Sequence, residues 1–292
     1  MSYSLCCISN VLKEQGVSFS TMTKKRFFEL ERTKAIAEVS RRTLQNVTTT
    51  LETLKHCHKN NWNYRVTCNM FPLITLPQTN LIYNEYPDYE SIEATLNACE
   101  SFVKQTGIRI SNHPDQFVVL ASENENTVSN SIRELEQNAW VMDRLGAERS
   151  YLHPINLHIN KSCTPEDTSK RFLDNLSKCS DAIKSRLVIE NEDKGIWNVE
   201  TLIEHFNEKV PITFDNLHHK CNTGNLKEEE AFHMCYKTWN DIKPLFHYSE
   251  SDPENSNCRA HAHLPTGKPN SYEKDVDWEI ELKAKDYAIF SL

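Results

Sequence analysis

The chain has 292 residues, 38% of them hydrophobic and 25% charged, and its 33 Lys and Arg against 41 Asp and Glu leave a formal net charge of −8. No apolar run approaches the roughly 18 residues of a membrane span, no basic segment followed by an apolar stretch opens the N-terminus, and no Pro/Gly/Ser-rich linker divides the chain, so one intracellular domain over residues 1–292 is expected. The acidic balance excludes a partner held by a broadly cationic surface, but not a cleft where acidic side chains hold divalent cations that reverse the local field.

Short β-rich runs alternate with longer stretches of helical period. The predicted strands are Tyr3 to Ser9, Tyr64 to Cys68, Ile108 to Asn112, Ser150 to His153, Arg186 to Glu190, Pro211 to Asp215, Leu245 to Ser249 and Cys258 to His263. The fifth contains Leu187, Val188 and Ile189 in a row, as a strand buried on both faces requires. Between the strands, Leu44, Val47, Leu51 and Leu54 form one helical stripe, Ile132, Leu135, Ala139 and Met142 a second, and Phe172, Leu176, Cys179 and Ile183 a third. Thr164, followed by Pro165, Glu166 and Asp167, reads as an N-cap with Pro at the first helical position and acids on the positive end of the dipole. Eight strands alternating with helices predict a (β/α)8 TIM barrel with its active site at the C-terminal strand ends. The alternative, a doubly wound open sheet, needs a Gly-rich phosphate turn after its first strand, and the six glycines supply none. The ten cysteines are scattered without zinc-knuckle spacing and read as small buried thiols.

Nearly every predicted strand runs into a residue able to bind a metal. Strand three leads into Ser111, Asn112 and His113, strand four ends in His153, strand five in Glu190, and strand six in Asp215 with His218 and His219 just beyond. Strand seven contains His247, strand eight ends with His261 and His263, and Glu281 is placed at the start of the last helix. Glu190 directly follows three aliphatic residues, and a buried carboxylate there is costly unless paired or metal-bound. Mixed His and carboxylate ligation suits Mn²⁺, Zn²⁺ or Fe²⁺ better than Mg²⁺ or Ca²⁺. His56, His58, His205 and His233 fall in helical stretches and read as solvated or structural.

The segments Tyr64 to Pro72, His113-Pro114-Asp115-Gln116-Phe117, Leu152-His153-Pro154, Val188 to Asp193, Phe214 to His219, His247-Tyr248-Ser249 and Asp277 to Asp286 resemble, in order and spacing, the motifs of UV damage endonucleases. That family consists of TIM barrels related in site layout to endonuclease IV. The resemblance implies a DNA repair nuclease that nicks immediately 5′ of UV photoproducts, and of abasic sites, leaving a 3′-hydroxyl. It implies two or three divalent ions, Mn²⁺ foremost with Zn²⁺, Co²⁺ or Fe²⁺ as alternatives. Glu190 would bridge two of them, with His113 and His153 completing one site and Asp215, His247 and Glu281 the other. His218 and His263 would hold a third ion, with His261 as the substitute for His263. Gln116 and Phe117 stand where the family probes the gap left by an extruded lesion. Lys161 and Arg65 are expected beside Glu190 in catalysis, and Lys283 at a DNA phosphate. The partner implied is damaged duplex DNA bound by a monomer, in the cytoplasm or nucleoid of a prokaryote or in a nuclear or viral setting otherwise. Three family positions depart: the strand-seven lysine is Leu245, the first strand carries Ser4-Leu5 in place of Gly-Tyr, and Asn69 stands where some members place a His. A sugar isomerase or epimerase on the same barrel and a damage-binding protein without catalysis remain alternatives, separable by a sugar screen and a cleavage assay.

Overall fold

The eight strands are β1 (Tyr3–Cys6), β2 (Asn63–Val66), β3 (Ile110–Asn112), β4 (Ile155–Leu157), β5 (Leu187–Glu190), β6 (Ile212–Thr213), β7 (Leu245–Tyr248) and β8 (Asp277–Ile280) in a computed structural model that describes residues 1–160 and 163–292. All sheet pairings are parallel, in the order β6-β5-β4-β3-β2-β1-β8-β7. The sheet closes where a parallel bridge joins Asp215 to His247 and the His247 amide donates to the Phe214 carbonyl at 2.9 Å. This is the expected TIM barrel, whose parallel strands need crossover connections and so alternate with helices.

Predicted strands four and eight are misplaced. Residues 150–153 form a turn in which the His153 amide donates to the Ser150 carbonyl at 3.0 Å, and β4 begins only after Pro154. Proline lacks an amide proton and is tolerated at the start of a strand, not within its ladder. Residues 258–263 form a loop that folds back antiparallel on the segment after β7, through the bridge between Ser251 and His261 and the bond from the Ala262 amide to Glu250. The true β8 reads Asp-Trp-Glu-Ile, and Glu281 follows its end rather than opening a helix.

The helical stripes pack where expected. Val47 and Leu54 are buried in the long helix Arg32–Lys59, and Leu135, Ala139 and Met142 in Glu125–Arg144. The Thr164 hydroxyl caps helix Pro165–Ser177 by accepting from the Asp167 amide at 3.2 Å. The third stripe is shared between that helix and the short Asp181–Lys184. Outside the sheet, Phe214, Phe232, Phe246, Trp239 and Trp278 build an aromatic layer under the helices.

Inside the barrel the residues are polar. Arg109 reaches Asp277 at 3.2 Å, Ser111 bonds Glu279, and Arg65 bonds both Glu279 and Glu281. Strands β3 and β8 are not neighbours, so their contacts run through the interior. Each strand therefore turns every second residue inward: Arg109, Ser111 and His113; Asn156 and His158; Asp277, Glu279 and Glu281. Buried charges persist only when paired and hydrogen-bonded, and this ladder pairs them from the barrel floor to its mouth.

Candidate metal centre

The hydrophobic run Leu187-Val188-Ile189 anchors β5 and delivers Glu190 to the barrel mouth, where it is 1% exposed. Four imidazoles surround its carboxylate: His218 Nδ1 at 3.0 Å, His113 Nε2 and His247 Nδ1 at 3.2 Å, and His158 Nε2 at 3.8 Å. The Asn156 amide donates to the same carboxylate. Asp215, at the end of β6, is fully buried and uses Oδ1 to cap the helix Asn216–Cys221 by accepting from the His218 amide at 2.7 Å. Its Oδ2 is buried with no hydrogen-bond partner, and the buried His247 Nδ1, 3.2 Å from Glu190, makes no well-directed hydrogen bond. Orphaned buried polar atoms are rare and costly, and these two lie in one cluster.

Candidate ligand atoms of His113, His158 and Glu190 lie within 4.8 Å of one another, as do those of Glu190, Asp215 and His247. The two groups share Glu190, the arrangement a carboxylate bridging two cations requires, and their mixed nitrogen and oxygen donors fit a first-row divalent ion. A third group, Cys6, Glu279 and Glu281, is equally tight. There the cation's place is already filled, because Arg65 Nη1 bonds both carboxylates, and burial pushes the Cys6 thiol well up, keeping it neutral.

The electrostatics agree with cation binding. Burial pulls His158 down to about 4 despite the charge of Glu190, so at neutral pH it is a neutral donor. Burial opposes ionisation of Glu190, but His247 and His158 outweigh it and hold this carboxyl well below its usual range. Burial likewise disfavours charge on His247 and His218, yet both are raised well above 6.5, His247 by Glu190 and Glu281 and His218 by Asp215 and Glu190. Without a cation, these two imidazolium groups balance the acids.

Several residues singled out by sequence lie elsewhere. His153 precedes β4 and sits at the opposite end of the strand from the cluster, donating from Nδ1 to the Ile110 carbonyl at 3.0 Å; its assigned place is taken by His158. Arg65 is held between Glu279 and Glu281 inside the barrel and cannot reach out to a phosphate. His263 is exposed and lines a cavity of about 580 Å³ with Asp252 and Asn216. His261 is half-buried and donates from Nδ1 to the Glu281 carbonyl at 2.7 Å. Lys283 pairs with Asp252 at 2.9 Å. Lys161 lies outside the described residues. Leu245, two residues before His247, is buried and offers no ligand. Glu281 is 3.6 Å from His247 Nδ1, within the cluster's reach.

Gln116 and Phe117 form the tip of a turn closed by the Val118 amide on the Asp115 carbonyl at 2.9 Å. Val118 is buried while Phe117 is 78% exposed. An aromatic ring held out in solvent shortly after a buried strand is unusual for a core residue.

The UV-endonuclease UvdE family model matches residues 1–292. A UV DNA damage endonuclease of Nostoc sp. is 29% identical over 290 residues, covering 96% of this chain and 86% of its own. The crystal structure of SacUVDE superposes with a TM-score of 0.82 at 27% identity, covering 99% of this chain and 95% of that one. Endonuclease IV from Thermus thermophilus superposes with a TM-score of 0.57 at 14% identity over 96% of this chain and 91% of its own, a likeness of fold.

Proposed function

The chain belongs to the UV-endonuclease UvdE family, and from that membership and the geometry we propose that it incises DNA beside ultraviolet lesions by metal-assisted phosphodiester hydrolysis, cutting immediately 5′ of photoproducts and abasic sites to leave a 3′-hydroxyl. The observation that carries this reading is the single buried carboxylate of Glu190 shared by two ligand groups. His113, His158 and Glu190 would hold one cation, and Glu190, Asp215 and His247, with Glu281 beside them, the other. His218 faces the same carboxylate at 3.0 Å. Divalent ions bound there supply Lewis acidity toward a phosphate ester and a water; Mn²⁺ is the ion proposed, and Zn²⁺, Co²⁺ and Fe²⁺ suit the same donors.

The chain's own contribution is position and charge. His158 is neutral and offers its lone pair directly, while His218 and His247 shed protons as cations enter, coupling occupancy to pH. Beneath the cluster the barrel interior is filled by the paired side chains of Ser111, Glu279 and Arg65, and the Gln116–Phe117 turn follows His113 in the chain. A damaged dinucleotide stacks poorly, so extruding it costs less than extruding a sound pair, and an exposed ring can fill the gap left behind.

The test is a nicking assay on duplex oligonucleotides carrying one photoproduct or one abasic site. Purified protein with Mn²⁺ should cut 5′ of the lesion, and Glu190→Gln should lose roughly 100-fold or more in rate, as expected when a centre loses its shared ligand. Absence of lesion-dependent cutting with each of the four metals would overturn the proposal.

A further inference from the structure

Glu279 lies one alternation below Glu281 on β8, is 1% exposed, and takes no part in the cation groups proposed above. Its Oε2 is 3.1 Å from His247 Nε2 and 3.0 Å from Arg65 Nη1, and its Oε1 accepts the Ser111 hydroxyl. The other nitrogen of His247, Nδ1, lies 3.2 Å from Glu190 and 3.6 Å from Glu281. The ring thus stands between two sets of acids, with one nitrogen toward each. An imidazole presents a lone pair at one nitrogen only if the other carries the proton, and a buried carboxylate with its other donors fixed is the partner that retains that proton.

We infer that Glu279 is a positioning residue that keeps His247 protonated at Nε2 and so turns its Nδ1 lone pair to the cation. This rests on the metal-assisted reading above and adds to it a carboxylate–histidine–metal relay running down the barrel axis. The relay is braced from two further strands. Ser111 on β3 fixes one oxygen of Glu279, and Arg65 on β2 fixes the other while also gripping Glu281. A single guanidinium thereby sets the height of the carboxylate that orients His247 and of the carboxylate beside its Nδ1. If Glu279 served only to neutralise Arg65, its loss would affect folding but not the nitrogen at which His247 binds metal.

The mutation-free test is ¹⁵N NMR of histidine-labelled wild-type protein loaded with Zn²⁺. The expected spectrum shows His247 metal-bound at Nδ1 with a proton on Nε2; Zn²⁺ on Nε2 overturns the inference alone, whereas a wild type that retains no Zn²⁺ overturns it together with the metal-assisted reading. In parallel, Glu279→Gln and Glu279→Leu are compared by chelator competition for Zn²⁺ and by kinetics with Mn²⁺. Removal of such a partner costs roughly 10- to 100-fold in metal affinity or activity, so affinity and kcat should fall in that range, more for Leu than for Gln, with KM for DNA unchanged. Folded variants with wild-type affinity and kcat overturn the proposal.

Discussion

His153 and His158 are five residues apart and both are held near pKa 4 by burial, yet the structure gives them opposite tasks. His158 faces Glu190, where neutrality leaves a lone pair for a cation. His153 only closes a hydrogen bond to Ile110 between β3 and β4, so its neutrality is a stability matter with a definite sign. An unfolded histidine takes up its proton near 6.5, while folded His153 resists until about 4. Between those values the unfolded state binds more protons, so stability drops as the solution is acidified, by about 3 kcal/mol at most for a shift of this size. In His153→Gln, whose amide can keep a bond to Ile110 and does not titrate, urea-derived stability of the metal-free protein should fall less steeply over this window. Zn²⁺ retention should be unaffected in that variant and lost in His158→Gln. Equal pH slopes for wild type and His153→Gln would show that the burial of His153 is not felt. The sequence pattern favours the wrong histidine because His153 ends an apolar-looking turn. The better signal is Pro154, after which Ile155 and Leu157 alternate with Asn156 and His158.

The same alternation is legible in other strands. Arg109-Ile110-Ser111-Asn112-His113 and Asp277-Trp278-Glu279-Ile280-Glu281 each place polar residues at every second position, the signature of a strand whose inner face is polar. The continuous apolar run of β5 shows its burial but hides its inward face until Glu190. Strand β8 escapes a sequence reading because a short acid-and-apolar repeat before Lys283 also fits the first turn of a helix, and only the register of Asp277 on Leu245 and of Trp278 on Tyr3 decides between them. Gln116 and Phe117, singled out in the sequence by motif alone, stand at the tip of the Asp115–Val118 turn. Since the ring of Phe117 touches little of the core, Phe117→Ala should leave the urea-derived stability within the range of about 0.5 kcal/mol usual for surface changes. An aromatic stacked on a base contributes about 1–3 kcal/mol. Cleavage of a photoproduct duplex should then fall roughly 5- to 150-fold in kcat/KM. A variant that cuts as well as wild type would remove this turn from lesion recognition.

A molecule with a net charge of −8 has to approach a polyanion, and its exposed cations are partly spent already: Lys283 faces Asp252 and Arg259 faces Asp193 at 3.6 Å. On the proposed function, ions held by Glu190, Asp215 and the histidines would supply the positive field of the barrel mouth. The two divalent ions proposed there would add four charges at one point, and the field of bound ions dominates a low-dielectric cleft over that of distant surface acids. Affinity for duplex DNA should then depend on loading. With a photoproduct duplex whose 5′ linkage is blocked by phosphorothioate, fluorescence anisotropy should show binding at least roughly tenfold tighter in Mn²⁺ than in EDTA, equivalent to about 1.4 kcal/mol. If the proposed ions rather than side chains supply the field, the logarithmic salt slope in EDTA should be shallow, corresponding to no more than about three phosphate contacts. Equal affinity in both conditions, with a steep slope in EDTA, would instead locate the DNA-binding field in surface lysines and arginines, and would detach recognition of the duplex from the proposed metal centre.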